Sequence, residues 1–107
     1  MKKILFSLLI AVSVLLTSCL KENHSVCFKN NYTQVMYSVT AGNAKIGTVE
    51  NGKVSNYYAI NSGNFSISGM SSSGQNLSGS GSVSGRGTHK WTITLSSAGT
   101  LSISKDK

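Results

Sequence analysis

The sequence has no proline, only three acidic residues and only two cysteines, and these shortages narrow the functions it can have. The acids are Glu22, Glu50 and Asp106. Glycoside hydrolysis by paired carboxylates needs two acids at a defined separation, and Glu50 has no convincing partner in either of the others. A Ser-His-Asp triad needs a carboxylate that orients the histidine, and His89 has none nearby in sequence. We therefore expect no catalytic residues and a protein that is not an enzyme.

Metal and cofactor sites are also not expected. The only imidazoles are His24, interpreted as a solvated residue, and His89, interpreted as the start of a strand beside Lys90. With Cys27 they provide at most three ligands, and their spacing matches no zinc motif. The glycine-rich run from Gly79 to Gly85 has no third glycine at the place that a dinucleotide loop requires, and it lacks the strand-to-helix context of such a loop.

The first nineteen residues have the pattern of an export signal. Lys2 and Lys3 form a basic head, residues 4–16 are largely apolar, and small residues follow. The segment Leu16-Thr17-Ser18-Cys19 resembles the lipobox of bacterial lipoproteins. That resemblance implies cleavage between Ser18 and Cys19 and attachment of a diacylglycerol to the Cys19 thiol. Two alternatives are an ordinary secretory signal and a retained transmembrane helix, although the apolar run is shorter than the roughly 20 residues that a membrane span needs.

The lipobox resemblance, the polar run that follows it and the alternation from Val26 onward predict a division of the chain into three parts. Residues 1–18 form the signal peptide, residues 19–25 form a lipidated tether, and residues 26–107 form one small domain. With Cys19 consumed, Cys27 has no disulfide partner, and we interpret it as a small buried residue in a strand.

The expected partner is a membrane, held through the N-terminal lipid in the cell envelope, and not a nucleic acid. The formal charge is +7, and +5 remains after loss of Lys2 and Lys3. The remaining cations are scattered, whereas nucleic-acid binders concentrate them on one face. The absence of Asp directly after Cys19 is compatible with the outer membrane. The run Leu20-Lys21-Glu22-Asn23 resembles in part a signal for surface display, so the periplasmic and surface faces both stay open.

Alternating apolar residues and regularly spaced turns predict an all-β fold, a small antiparallel β-sandwich of seven to eight strands. The predicted inward residues of β-strands include Val26 and Phe28, then Phe65 and Ile67, and a final hairpin with Trp91, Ile93 and Leu95 turning at residues 97–99. In a second strand we expect Val35, Tyr37 and Val39 to share one face, opposite Gln34, Met36 and Ser38. We also expect Asn51-Gly52 to form a type I′ hairpin between residues 46–49 and a strand over residues 54–60.

Residues 71–87 are rich in glycine and serine and allow two interpretations. One is a flexible loop. The other, which we favour, is a strand from Leu77 to Ser84 with loops at residues 71–76 and 85–88. Glycines in that strand would leave room for a bulky neighbour such as Trp91.

From residue 46 onward the layout resembles small β-sandwich modules of the PEGA and immunoglobulin-like kind. The similarity lies in Ile46-Gly47-Thr48-Val49 and in Gly63-Asn64-Phe65-Ser66-Ile67. It implies a β-sandwich and no particular activity.

Tyr57 is the candidate binding residue. Tyr57 and Tyr58 are adjacent, so in a strand they point to opposite faces, and Tyr57 is expected to be exposed.

We expect a non-enzymatic, lipid-anchored envelope lipoprotein that acts as a structural or interaction module. The alternatives are an adhesive surface module that binds a glycan or a protein through an exposed aromatic residue, and a small inhibitor of a hydrolase.

Overall fold

The computed structural model describes residues 22–106 and shows eight strands in two four-stranded sheets that enclose one core. Sheet A has the strand order β4-β1-β7-β8, and sheet B has the order β3-β2-β5-β6. The predicted all-β sandwich of seven to eight strands is confirmed. The strands are β1 Glu22–Asn30, β2 Met36–Ala41, β3 Ala44–Val49, β4 Tyr58–Ile60, β5 Gly63–Ser71, β6 Asn76–Val83, β7 Gly87–Leu95 and β8 Leu101–Lys105.

Sheet A contains a parallel strand pair, which departs from the expected antiparallel arrangement. Strands β1 and β7 run parallel in continuous register from Glu22 opposite Gly87 to Asn30 opposite Leu95. The other strand pairs of the described residues are antiparallel. Parallel neighbours need a long connection, and here the connection contains all of sheet B.

The core follows the predicted alternation in most strands. Val26 and Phe28 of β1 and Ile93 of β7 are completely buried, and Phe65 and Ile67 of β5 are buried opposite them. Trp91, Leu101 and Ile103 are partly buried against this core. The two inner faces therefore form one apolar layer between the sheets.

Strand β2 does not alternate as expected. Met36 and Val39 are buried, whereas Tyr37 is 45 % exposed, so the prediction that Tyr37 shares a face with Val39 is wrong. The pairing with β3 shifts register between Met36 and Val39, and Ser38 between them has a φ of 53°. A β-bulge inserts one extra residue and reverses the alternation on either side of it.

The Asn51-Gly52 turn forms, but it does not connect a hairpin. Strand β3 before it lies in sheet B and strand β4 after it lies in sheet A, so the chain crosses between sheets here. The predicted strand over residues 54–60 is reduced to Tyr58–Ile60, and Val54 makes only an isolated bridge with Lys29. The turn is instead held by Asn30, whose N–H donates to Lys53 O and whose carbonyl accepts from Gly52 N.

The favoured strand in the glycine-rich segment is confirmed as β6, which pairs with β5 along its whole length. Its glycines accommodate residues other than Trp91. A Cβ atom at Gly79 would lie 2.5 Å from Leu101 Cδ1, and one at Gly81 would lie 2.8 Å from Phe65 Cζ. The absent side chains therefore let the core approach the backbone of β6 closely.

Strand β1 begins at Glu22, four residues before the predicted start at Val26. Residues 22–25 of the expected tether thus belong to sheet A. The predicted signal peptide, the segment that resembles a lipobox and Cys19 lie outside the described residues.

Candidate functional site

Tyr57 lies just before β4, and its side chain is 43 % exposed, as the sequence predicts. Its hydroxyl donates a hydrogen bond of 2.8 Å to Asp106 Oδ2. The Lys90 ammonium lies 5.0 Å from the centroid of the Tyr57 ring, within cation–π range. The tyrosine is therefore exposed but held in one orientation.

Asp106 is the residue that organises these contacts. It follows β8 directly, and its N–H donates to Lys90 O at 2.7 Å, which extends the β7–β8 hairpin by one residue. Its Oδ2 also accepts a 2.6 Å hydrogen bond from Thr92 Oγ1. Because that bond uses the only proton of the Thr92 hydroxyl, the Cys27 thiol is the donor in its 3.4 Å contact with Thr92 Oγ1.

We call Cys27, Tyr57, Lys90, Thr92 and Asp106 the Tyr57 platform. Cys27 is buried, as predicted, and forms its base, whereas Tyr57, Lys90 and Asp106 are exposed at its surface. The platform presents an aromatic ring, an ammonium and a carboxylate side by side. Such a surface can stack on a flat group and pair with charges of either sign.

The pKa of Tyr57 is raised to about 12, and the largest cause is the hydrogen bond to Asp106, followed by partial burial and the nearby Cys27. A carboxylate acceptor favours the neutral phenol over the phenolate, because the phenolate could not donate and would repel the carboxylate. At neutral pH Tyr57 is therefore a hydrogen-bond donor.

Asp106 was missed as a site residue because it lies near the C-terminus, where chain ends usually fray. The signal that could have found it is the register of the last hairpin. Trp91 pairs with Lys105, so one further step places Asp106 opposite Lys90, an acid opposite a base.

A second polar cluster closes the end of the sandwich where β1 and β7 begin. His24 is 5 % exposed, so the interpretation of a solvated tether residue is wrong. Its Nδ1 accepts a 3.1 Å hydrogen bond from Trp91 Nε1, and its Nε2 lies 3.2 Å from Glu22 Oε1. The same oxygen of Glu22 accepts from the N–H of Gly85 at 3.0 Å. His24 thereby connects β1 to β7 and to the turn after β6.

His89 lies in β7 beside this cluster. Its ring stacks on His24 with 5.6 Å between centroids, and its Nε2 lies 2.7 Å from Arg86 O. Across residues 22–106, no group of three or more histidine, cysteine and acidic side chains is arranged to hold a metal ion. The hydrogen bonds and the ring stack of this cluster join β1, β7 and the turn after β6.

A groove of about 240 Å³ opens at the opposite end of the sandwich, where β1 and β7 finish. Its wall is part apolar and part polar, and Tyr32 donates across it to Gln75 Oε1 at 3.3 Å. No motif in the sequence marks this groove, because its lining comes from three segments that are distant in the sequence, residues 32–36, 71–77 and 95–99. Residues that line it include Tyr32, Met36, Gln75, Leu77, Leu95 and Gly99.

Comparison with known proteins gives a fold relationship. No protein-family model and no curated protein matches the chain. The structure is similar to the NMR structure of a protein from Eubacterium rectale, with a TM-score of 0.53 and 12 % sequence identity over 81 % of this chain and 91 % of that one. At this identity the likeness shows a shared fold alone. Nothing in residues 22–106 forms a helix of the length and apolarity needed to cross a membrane.

Proposed function

We propose that this chain is a non-enzymatic, lipid-anchored lipoprotein of a bacterial cell envelope, whose β-sandwich serves as a structural or interaction module. The observation that carries the proposal is Leu16-Thr17-Ser18-Cys19, which follows a basic head and an apolar run in the order that lipoprotein signals require. Several acyl chains on one protein make an effectively stable anchor, because each buried CH₂ contributes about 0.8 kcal/mol. The outer membrane is the proposed location.

Because β1 begins earlier than the sequence predicts, the tether between the lipid and the domain would be short in this proposal. Only residues 20 and 21 separate the lipidated cysteine from the first strand. The three residue steps from Cys19 to Glu22 reach at most about 10 Å when extended. The end of the sandwich that carries His24 and the turn at Gly85 would therefore lie close to the lipid headgroups.

The same geometry would direct the opposite end away from the membrane. A nine-residue strand such as β1 spans roughly 25–30 Å. The groove beside Tyr32 would then lie roughly 25–30 Å from the lipid, where it would be accessible to a binding partner.

The experiment is incorporation of a labelled fatty acid by cells that express the full chain. Cys19→Ala is expected to abolish the label, and Cys27→Ala, which removes the other cysteine, is expected to retain it. Continued labelling of the Cys19→Ala chain would overturn the proposed anchor.

A second candidate function is contact with a glycan or protein through the Tyr57 platform. The specific observation that favours it is a tyrosine that is exposed yet already held by Asp106 and Lys90. A side chain fixed before binding loses less conformational entropy on binding. Tyr57→Ala is expected to reduce retention on a glycan array or in a pull-down, whereas Tyr37→Ala, an equally exposed tyrosine on sheet B, is the matched control. Equal binding by the two variants would contradict this role.

A further inference from the structure

Within residues 22–106, strand β6 lies at the edge of sheet B and lacks the features that usually protect such an edge. Proteins guard edges with short strands, charged residues, prolines or bulges. Of the other edges, β4 has three residues, β3 carries Lys45 and a register shift against β2, and β8 is short and ends at Lys105. Strand β6 has eight residues, no charge and a regular register with β5. Its outer backbone edge is therefore suited to receive another strand.

The sequence of β6 is close to a palindrome. Residues 77–83 read Leu-Ser-Gly-Ser-Gly-Ser-Val, which is symmetric in residue type about Ser80. Two identical strands that pair antiparallel, about a two-fold axis that passes between the two Ser80 residues, would place residues of the same or similar type opposite each other. Ser80 would face Ser80 of the second copy, Ser78 would face Ser82, Gly79 would face Gly81, and Leu77 would face Val83.

The faces of β6 agree with such pairing. Ser78, Ser80 and Ser82 are exposed on the outer face, where hydroxyl pairs across strands can form hydrogen bonds. On the inner face, Leu77 and Val83 are partly or completely buried. Opposing Leu77 and Val83 would extend the apolar layer of one sandwich into that of the other.

Charge does not oppose the pairing, although each chain is strongly basic. The nearest cation along the chain after β6 is Arg86. In the antiparallel register it would lie opposite Gly74 of the second copy and far from the other Arg86.

We propose that β6 is a self-association edge, to which a second copy of this chain adds its own β6 antiparallel about a two-fold axis that passes between the two Ser80 residues. The closed two-fold contact joins the two B sheets into one sheet of eight strands. The occupant is a second copy because the residue pattern of the edge is complementary to itself.

The test is oxidative cross-linking of variants of the full chain, each with one introduced cysteine. Across the axis, two Cβ atoms at position 80 would lie about 4.5–5.5 Å apart, close to disulfide geometry. Ser80→Cys is therefore expected to give a covalent dimer in high yield. Ser66→Cys is the control, because Ser66 pairs with Ser80 on the next strand inward and its two copies would be roughly 14 Å apart at the spacing of neighbouring strands. Unmodified chain, with Cys19 and Cys27 in place, gives the background.

A second measurement keeps the proposal testable if oxidation fails. The detergent-extracted full chain is expected to have a dimeric mass by light scattering, as is Ser66→Lys. Ser80→Lys would place two ammonium groups against each other at the axis and is expected to give the monomeric mass. Equal cross-linking at positions 66 and 80, or a mass unaffected by Ser80→Lys, would overturn the proposal.

Discussion

Hydrogen bonds between polar side chains join the strands of sheet A, whereas in sheet B glycines leave space that core side chains fill. In sheet A, Trp91 binds His24, and Tyr57 and Thr92 both bind Asp106. In sheet B, the space where Gly79 and Gly81 have no side chain is filled by neighbouring core side chains. Truncation should therefore damage sheet A, and enlargement should damage sheet B.

The largest effect is expected for Asn30→Ala, which truncates the side chain that joins the sheets. Asn30 is completely buried in β1, and its Nδ2 donates 2.9 Å hydrogen bonds to Gln34 O and to Val49 O of β3. Its Oδ1 accepts from the N–H of Tyr32 at 3.0 Å. The variant leaves these backbone groups without their hydrogen-bond partners. We expect a loss of about 2–4 kcal/mol of unfolding free energy in urea denaturation. Asn31→Ala, at the exposed neighbour, should change it by less than about 0.5 kcal/mol; equal effects would contradict the assignment.

The next effect is expected in sheet B for Gly81→Ala. The new methyl group would press on the ring of Phe65, which is confined in the core, and we expect a loss of about 1–3 kcal/mol. Gly79→Ala is the matched control, because it meets the end of the flexible Leu101 side chain, and it should cost less than about 1 kcal/mol. The reverse order in urea denaturation would show that the fit to Phe65 does not specify sheet B.

Trp91→Phe tests the polar contacts of sheet A with a smaller effect. The change keeps an aromatic ring and removes the N–H that His24 Nδ1 accepts. A buried acceptor without a donor costs about 1–2 kcal/mol. In the unaltered protein, nitrogen NMR should show His24 with its proton on Nε2, facing Glu22. A proton on Nδ1, or unchanged stability of the variant, would contradict this arrangement.

The smallest effect concerns the pH dependence of the Tyr57 platform. The pKa of Tyr57 is raised to about 12 in the folded protein and is about 10 in an unfolded chain. The folded state therefore retains the phenol proton to a higher pH than the unfolded state does. The stability that this contributes is complete below about pH 10 and is lost as the pH rises toward 12. Tyrosinate absorbance of the protein minus that of Tyr57→Phe reports the ionisation, and Asp106→Asn should lower the pKa toward 10. An unchanged pKa in Asp106→Asn would exclude the carboxylate as the main cause.

Local patterns predicted the elements that depend on local sequence. The alternation at Val26 and Phe28 and at Ile93 and Leu95 identified inward faces, and the adjacency of Tyr57 and Tyr58 identified the exposed tyrosine. Strand β6 could be favoured over a loop because its apolar ends and glycines share one face.

The errors came from contacts between distant residues. The bulge at Ser38 exchanges the faces of β2 without a marker in the residue types. The Asn51-Gly52 turn looked like a hairpin because its attachment to Asn30 is not visible locally. His24 looked solvated among polar neighbours, because the Trp91 that buries it lies 67 residues away.

The most direct test of the central claim is mass spectrometry of the N-terminal peptide from protein purified out of membranes. The proposed lipoprotein predicts a peptide that begins at Cys19 and carries the mass of a diacylglycerol on its sulfur. A chain that retains residues 1–18, or one that begins at Cys19 with a free thiol, would contradict it.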